Sequence, residues 1–211
     1  MESKTYDRPA GEIHKDGRKL VDAGCDWITL TASHDETGNS VRALADRLCA
    51  AELARGMEER HCPSARYRGF AAGSMSYGVR EEDCMIQLSS TLARDYVREA
   101  VGLARTVSRF DAQVTVEMPS AQSQIAQKAY TRAQRGTGKK GRPTSAQMIL
   151  STTGGKTLYL GAKSSDRMLR IYDKGIESGV ASRGKLWRCE AVLRKKQAMP
   201  AAKYMAEHES T

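Results

Sequence analysis

Residues 157–174 read TLYLGAKSSDRMLRIYDK. Two runs, Thr157–Gly161 and Arg167–Tyr172, flank a small polar stretch, and their composition predicts two successive strands. Alternation along the second run places Leu169 and Ile171 on one face and Arg170 and Tyr172 on the other. The apolar pair predicts a face packed on helices. Tyr172 then shares the opposite face with Arg170, with Asp173 and Lys174 at the strand end.

The same pattern extends outward in both directions. Met148–Thr152 reads as a strand. Gly154-Gly155 before Lys156 reads as a hairpin turn, because TTGGKT does not meet the GxxxxGK[ST] phosphate-loop pattern. Lys185–Leu193 reads as another strand, and Ala198–Thr211 as the start of a helix, which suggests a shortened chain. Upstream, Val107–Met118 alternates as a strand that Pro119 ends, and Ser120–Arg135 follows as a helix. Thr91–Ala104 is amphipathic through Leu92, Tyr96, Val97, Ala100 and Leu103, with Thr91 as its expected cap. Tyr67–Ser76, Gly78 and Cys84–Ser89 read as a meander with a charged loop at Glu81-Glu82-Asp83, and 56–68 as a loop. A helix capped by Asn39 or Ser40 runs through Val41, Leu44, Leu48 and Leu53. Asp26–Ala32 is a strand and residues 1–24 a loose arm. Hairpin spacings outnumber parallel crossovers. The expected fold is therefore α+β, a mainly antiparallel sheet with helices on one face, and the crossover helix Thr91–Ala104 leaves a mixed sheet open. The expected divisions are 1–24, 25–104, 105–196 and 197–211.

Composition narrows the class. The chain has 211 residues, 40% of them hydrophobic, enough for one core or two small lobes sharing a sheet. No run approaches the ~18 apolar residues of a membrane span, and the N-terminus has no secretory-type apolar stretch, so no membrane partner is expected and the default compartment is the cytoplasm. Five cysteines, Cys25, Cys49, Cys62, Cys84 and Cys189, form no CxxC pair and read as reduced thiols rather than a disulfide framework or zinc knuckle. The net charge is +9, and residues 128–196 alone hold 17 Lys and Arg against 4 Asp and Glu. A polyanion is the natural partner for such a segment. Within it Lys139, Lys140 and Arg142 lie in a Gly-rich basic stretch that reads either as a loop tracking a nucleic-acid backbone or as a solvated linker. A basic face that only aids solubility is the plain alternative.

The chemistry begins at Tyr172. A phenol in a cationic setting loses its proton more readily, and a phenolate can attack a phosphodiester. Arg170 and Lys174 could offset charge on the pentavalent transition state. The plain alternative is a half-buried sheet aromatic. Such a nucleophile works with a divalent metal, Mg²⁺ or Mn²⁺, held by hard oxygen ligands. Asp111, Glu117 and Glu190 are the candidates. Asp111 and Glu117 point to one face but lie about 20 Å apart on a regular strand, so one of them, not both, would join Glu190. Each carboxylate could instead pair with Arg109, Arg188 or Arg194. The four histidines, His14, His34, His61 and His208, are scattered, which excludes HxH and HExxH metal motifs.

Together these residues resemble the hallmark of the replication initiation factor family. Tyr159-Leu-Gly161, Ser165-Asp-Arg167 and Arg170-Ile-Tyr172-Asp-Lys174 follow its pattern, as do Arg188-Cys189-Glu190 downstream and Arg109-Phe110-Asp111 upstream. The resemblance implies a rolling-circle initiator that nicks and rejoins one DNA strand. Tyr172 would be its nucleophile, and Asp111 and Glu190 its metal carboxylates. The family often places a second acid four residues after the first; here Thr115 stands there, with Glu117 two further on. Arg167, Lys163 and Arg188 would join Lys139, Lys140 and Arg142 on DNA, and a host helicase and polymerase would follow. A homodimer is left open. A conjugative relaxase shares the same chemistry, a DNA-binding regulator without catalysis is the second alternative, and an RNA-binding structural protein ranks last, because aromatic residues are few and unclustered.

Overall fold

The structure is a computed structural model, and it describes residues 17–33, 36–119, 124–134, 145–152, 154–179 and 185–208. The strands are β1 (Lys19–Ser33), β2 (Arg60–His61), β3 (Arg68–Ala72), β4 (Met75–Arg80), β5 (Asp83–Ser89), β6 (Thr106–Glu117), β7 (Ala146–Leu150), β8 (Lys156–Leu160), β9 (Arg167–Asp173) and β10 (Leu186–Arg194). The helices are α1 (Glu36–Ala54), α2 (Ser90–Leu103), α3 (Ile125–Gln134), α4 (Lys174–Glu177) and α5 (Ala198–His208), and Lys195–Gln197 forms a 3-10 turn. Two compact units result, residues 24–112 with 192–211, and residues 1–23 with 113–191. The chain passes between them inside β1, β6 and β10. These crossing points fall within strands.

In the unit of residues 24–112 and 192–211 the strand order is β2-β3-β4-β5-β1-β6. Cross-strand rows build one apolar face: Met75 opposite Leu88 opposite Ile28, and Tyr77 opposite Ile86 opposite Leu30. α1 supplies Val41, Leu44, Ala45 and Leu48 at helical spacing, and α2 supplies Leu92, Ala93, Val97 and Ala100; with Ala198 and Ala202 of α5 they close this core. α2 links β5 to β6, yet β1 lies between those two strands. The crossover therefore adds no parallel pair here, and the registers β2/β3, β3/β4, β4/β5 and β5/β1 are antiparallel.

In the unit of residues 1–23 and 113–191 the order is β6-β10-β9-β8-β7. β7 and β8, and β8 and β9, pair antiparallel, with Leu158 opposite Ile171 and Leu160 opposite Leu169. That face packs with Trp187 and Ala126 of α3. Its reverse carries Thr157 opposite Tyr172 and Tyr159 opposite Arg170. The fold is α+β and antiparallel, as the pattern predicts. Three details differ. β1 begins at Lys19, inside the expected arm, because its first residues alternate exposed and half-buried without an apolar stripe. α1 begins at Glu36, ahead of Asn39 and Ser40. α2 begins after Ser89, which makes no side-chain cap bond, so Thr91 is not the cap. Among the described residues no helix is long and apolar enough to cross a membrane. All five cysteines are free.

Candidate active site

The polar face of the second unit converges on Glu190, which is wholly buried. A lone buried carboxylate is costly, so it needs partners on both oxygens. The Tyr172 hydroxyl donates to its Oε1 at 2.5 Å. The Arg170 guanidinium donates to Oε2 from Nε at 2.8 Å and again from its terminal nitrogen. The Arg170 Cζ also stands 5.0 Å from the Tyr172 ring centroid. Tyr172 is 6% exposed. Burial, and then its hydrogen bond to Glu190, push the phenol well above its usual pKa. This reverses the expectation that a cationic setting would favour the phenolate: the nearer charge is the carboxylate. For Arg170, burial opposes the charge, but Glu190 more than offsets it and the pKa lies above the ordinary guanidinium value. Asp173 ends β9 and accepts a hydrogen bond from the Ile176 backbone N–H at 2.9 Å, which caps α4. Lys174 pairs with Glu177 at 2.5 Å.

The strand reading Arg170-Ile-Tyr172-Asp-Lys174 thus joins a tyrosine to a buried acid on β10. A profile of the family described as "Replication initiation factor" matches residues 107–210. Residues 107–210 belong to the replication initiation factor family. A solved structure, that of a rolling circle replication initiator protein from Geobacillus stearothermophilus, is similar over 89% of this chain and 80% of that chain, at 18% identity and a TM-score of 0.64. It shares the fold. No curated protein matches the sequence.

The other motif residues of this replication initiation factor segment divide into those the structure brings to Tyr172 and those it does not. Arg170, Glu190 and Tyr172 form one cluster. Arg188 sits on the same face of the unit; its Nε donates to Thr115 Oγ1 at 2.9 Å, and its guanidinium lies 3.6 Å from Asp22. Thr115 donates to the Gln113 side-chain carbonyl at 2.9 Å, and Gln113 donates to Asp22 at 2.7 Å. Asp22 and Gln113 were not singled out by the sequence reading, and Thr115 entered it only as the residue standing where a second acid is usual. The alternation Gln113-x-Thr115-x-Glu117 was the available signal for two of them; Asp22 lay in the supposed arm. Glu117 is half-buried on β6. Lys163 lies over the Tyr159 ring at 5.3 Å, and Arg167 is exposed at the start of β9. Lys139, Lys140 and Arg142 lie outside the described residues.

The carboxylates expected to hold a metal are otherwise engaged. Asp111, in the other unit, is held by Arg109 through Nε at 2.9 Å and the terminal nitrogen at 2.5 Å. Both oxygens of Glu190 are taken by Tyr172 and Arg170. Among the described residues no group of three or more His, Cys, Asp or Glu could hold a metal ion. A carboxylate neutralised by a forked guanidinium is a weak ligand for Mg²⁺ or Mn²⁺, so the donor set as arranged does not fit the expected cation.

Proposed function

We propose that this replication initiation factor starts rolling-circle replication by cutting one DNA strand with Tyr172. The observation that carries the reading is the Tyr172 hydroxyl held 2.5 Å from a fully buried carboxylate, Glu190. That distance is hydrogen-bond reach for a general base. As the phenolic oxygen attacks phosphorus, its proton passes to Glu190. The Tyr172 O–P bond forms and the bond from phosphorus to the 3′ oxygen breaks. The protein is left on the 5′ phosphate, and the 3′ oxygen takes up a proton. Arg170, hydrogen-bonded to Glu190 and beside the Tyr172 ring, offsets charge on the phosphoryl oxygens. Lys174, Arg167 and Lys163, with the basic stretch 139–142, hold the backbone. The freed 3′ hydroxyl then primes a host polymerase behind a host helicase, and the reverse attack rejoins the strand.

The test is incubation with a labelled single-stranded oligonucleotide bearing its own origin, with Mg²⁺ or Mn²⁺, on a denaturing gel beside Tyr172→Phe. The expected result is a covalent adduct from the parent and none from the variant. DNA binding without an adduct from either would overturn the nickase and leave a non-catalytic regulator. The same gel with a chelator scores the metal: loss of the adduct would mean that a cation displaces a guanidinium from its carboxylate.

A further inference from the structure

A pocket of about 380 Å³ opens beside Tyr172. That is the size range of small-ligand sites, which run from about 300 to 1,000 Å³. Lys156, Thr157 and Tyr159 of β8, Arg170 and Tyr172 of β9, and Ile176 of α4 line it. Its wall chemistry is divided. Tyr159 offers an aromatic ring and Ile176 an aliphatic surface, whereas Lys156 and Arg170 offer positive charge.

Two carboxylates also face the pocket, but both are engaged: Asp173 by the Ile176 N–H, and Glu177 by Lys174. Arg170 is committed to Glu190. Lys156 is half-buried and has no ion-pair partner among the described residues. An ammonium so placed wants an anion. Tyr159 is half-buried, so part of its ring stays exposed, and Lys163 stands 5.3 Å from the ring centroid.

The wall is built, not incidental. The β7–β8 turn closes with Ser151 N–H donating to the Gly155 carbonyl at 2.8 Å and Gly155 N–H donating to Ser151 Oγ at 2.9 Å. A Cβ at Gly155 would stand 3.0 Å from Ser151 Oγ and 3.1 Å from Ile176 Cγ2. A side chain there would crowd both neighbours by a few tenths of an ångström, so the turn packs closely on α4.

A planar apolar group joined to an anion, next to a nucleophile for phosphorus, describes a nucleotide. We propose that this pocket receives a nucleotide flanking the phosphate that Tyr172 attacks, its base against Tyr159 and Ile176 and its phosphate on Lys156. This rests on the nickase reading and adds to it a subsite that selects unpaired DNA, since a base held in a strand-face pocket must leave its stack.

The experiment uses the full chain and the single-stranded origin oligonucleotide, intact or with one abasic residue on either side of the scissile phosphate. Affinity is read by fluorescence anisotropy and adduct by denaturing gel. One abasic position is expected to bind about tenfold more weakly than intact DNA, as loss of one base–aromatic stack implies. Tyr159→Leu should erase that difference, Tyr159→Phe should keep it, and Lys156→Gln should weaken intact and abasic DNA alike. Equal binding of all three oligonucleotides by the parent overturns the subsite, as does discrimination that survives Tyr159→Leu. An adduct without discrimination sinks the subsite and spares the nickase. Discrimination through Tyr159 without an adduct does the reverse.

Discussion

Glu190 has no solvent contact, yet its charge is shared by a phenol and a guanidinium. Removing a buried partner leaves the other group desolvated and unpaired. Arg170 keeps 36% side-chain exposure and can recover water, so the loss is moderated. Glu190→Ala should cost about 2–3 kcal/mol in urea unfolding, and Glu190→Gln less. The glutamine variant should still bind DNA but form adduct about 10²-fold more slowly, because an amide takes no proton from Tyr172; an unchanged rate would remove Glu190 from the chemistry. The same contact sets a pH dependence. Burial and the Glu190 hydrogen bond raise the folded-state pKa of Tyr172 above its ordinary value, so folding favours the neutral phenol. That contribution is whole below about pH 10, where the unfolded phenol is also neutral, and is lost as pH climbs from there toward the folded-state value. Stability of the parent should fall above about pH 10 more steeply than that of Tyr172→Phe; parallel curves would contradict the assignment. Much of this cluster was legible in Arg170-x-Tyr172 and Arg188-x-Glu190, since alternation alone puts each pair on one face. Which arginine meets Glu190 was not, because that depends on strand order. The sign of the Tyr172 shift was not legible either, because charge in a motif says nothing of the nearest charge in space.

At the scale of elements, the β3–β4 hairpin shows how a turn is secured from outside the sheet. Ala72 pairs with Met75, leaving Gly73 and Ser74 as the two-residue turn. Gly73 has φ +49°, in the left-handed region. Glu52 of α1, itself buried, accepts the Ser74 backbone N–H at 2.9 Å with one carboxylate oxygen and pairs with Arg55 at 2.9 Å through the other. A Cβ at Gly73 would overlap that carboxylate. Gly73→Ala should therefore displace Glu52 and orphan a backbone donor, costing about 2 kcal/mol or more, read as a lower denaturation midpoint; a shift under a few tenths would mean that the carboxylate moves freely. Strands β5 to β10 and helices α1, α2, α3 and α5 were visible as period-2 or 3.6 patterns, whereas the run Tyr67–Ser76 spans β3, its Gly73-Ser74 turn and the start of β4. The first residues of β1 were hidden because Lys19 and Asp22 break the apolar alternation. α4 was hidden because its four residues are too few to show a period; it is defined by the Asp173 cap.

Over the whole molecule, the net charge is not shared between the two units. Residues 1–23 and 113–191 hold 19 Lys and Arg against 10 Asp and Glu, whereas residues 24–112 and 192–211 hold 15 of each. The balanced unit neutralises much of its charge internally: Arg42 with Asp46, Arg47 with Glu99, Arg80 with Asp83. The basic unit carries the Tyr172 cluster and exposes Arg167. Counterion release makes a quantitative demand of this asymmetry. The logarithm of DNA affinity should fall linearly with the logarithm of salt concentration, and each cation lost from a phosphate should flatten the slope by about 0.7 for single strands or 0.9 for duplex. Lys163→Gln should flatten it by roughly that amount, while Arg47→Gln and Arg80→Gln leave it unchanged, since their charges already have carboxylate partners. Anisotropy titrations across a salt series separate the cases. If the slope instead responds to Arg47 and Arg80, the balanced unit grips the backbone, and the positive excess of the other serves solubility alone.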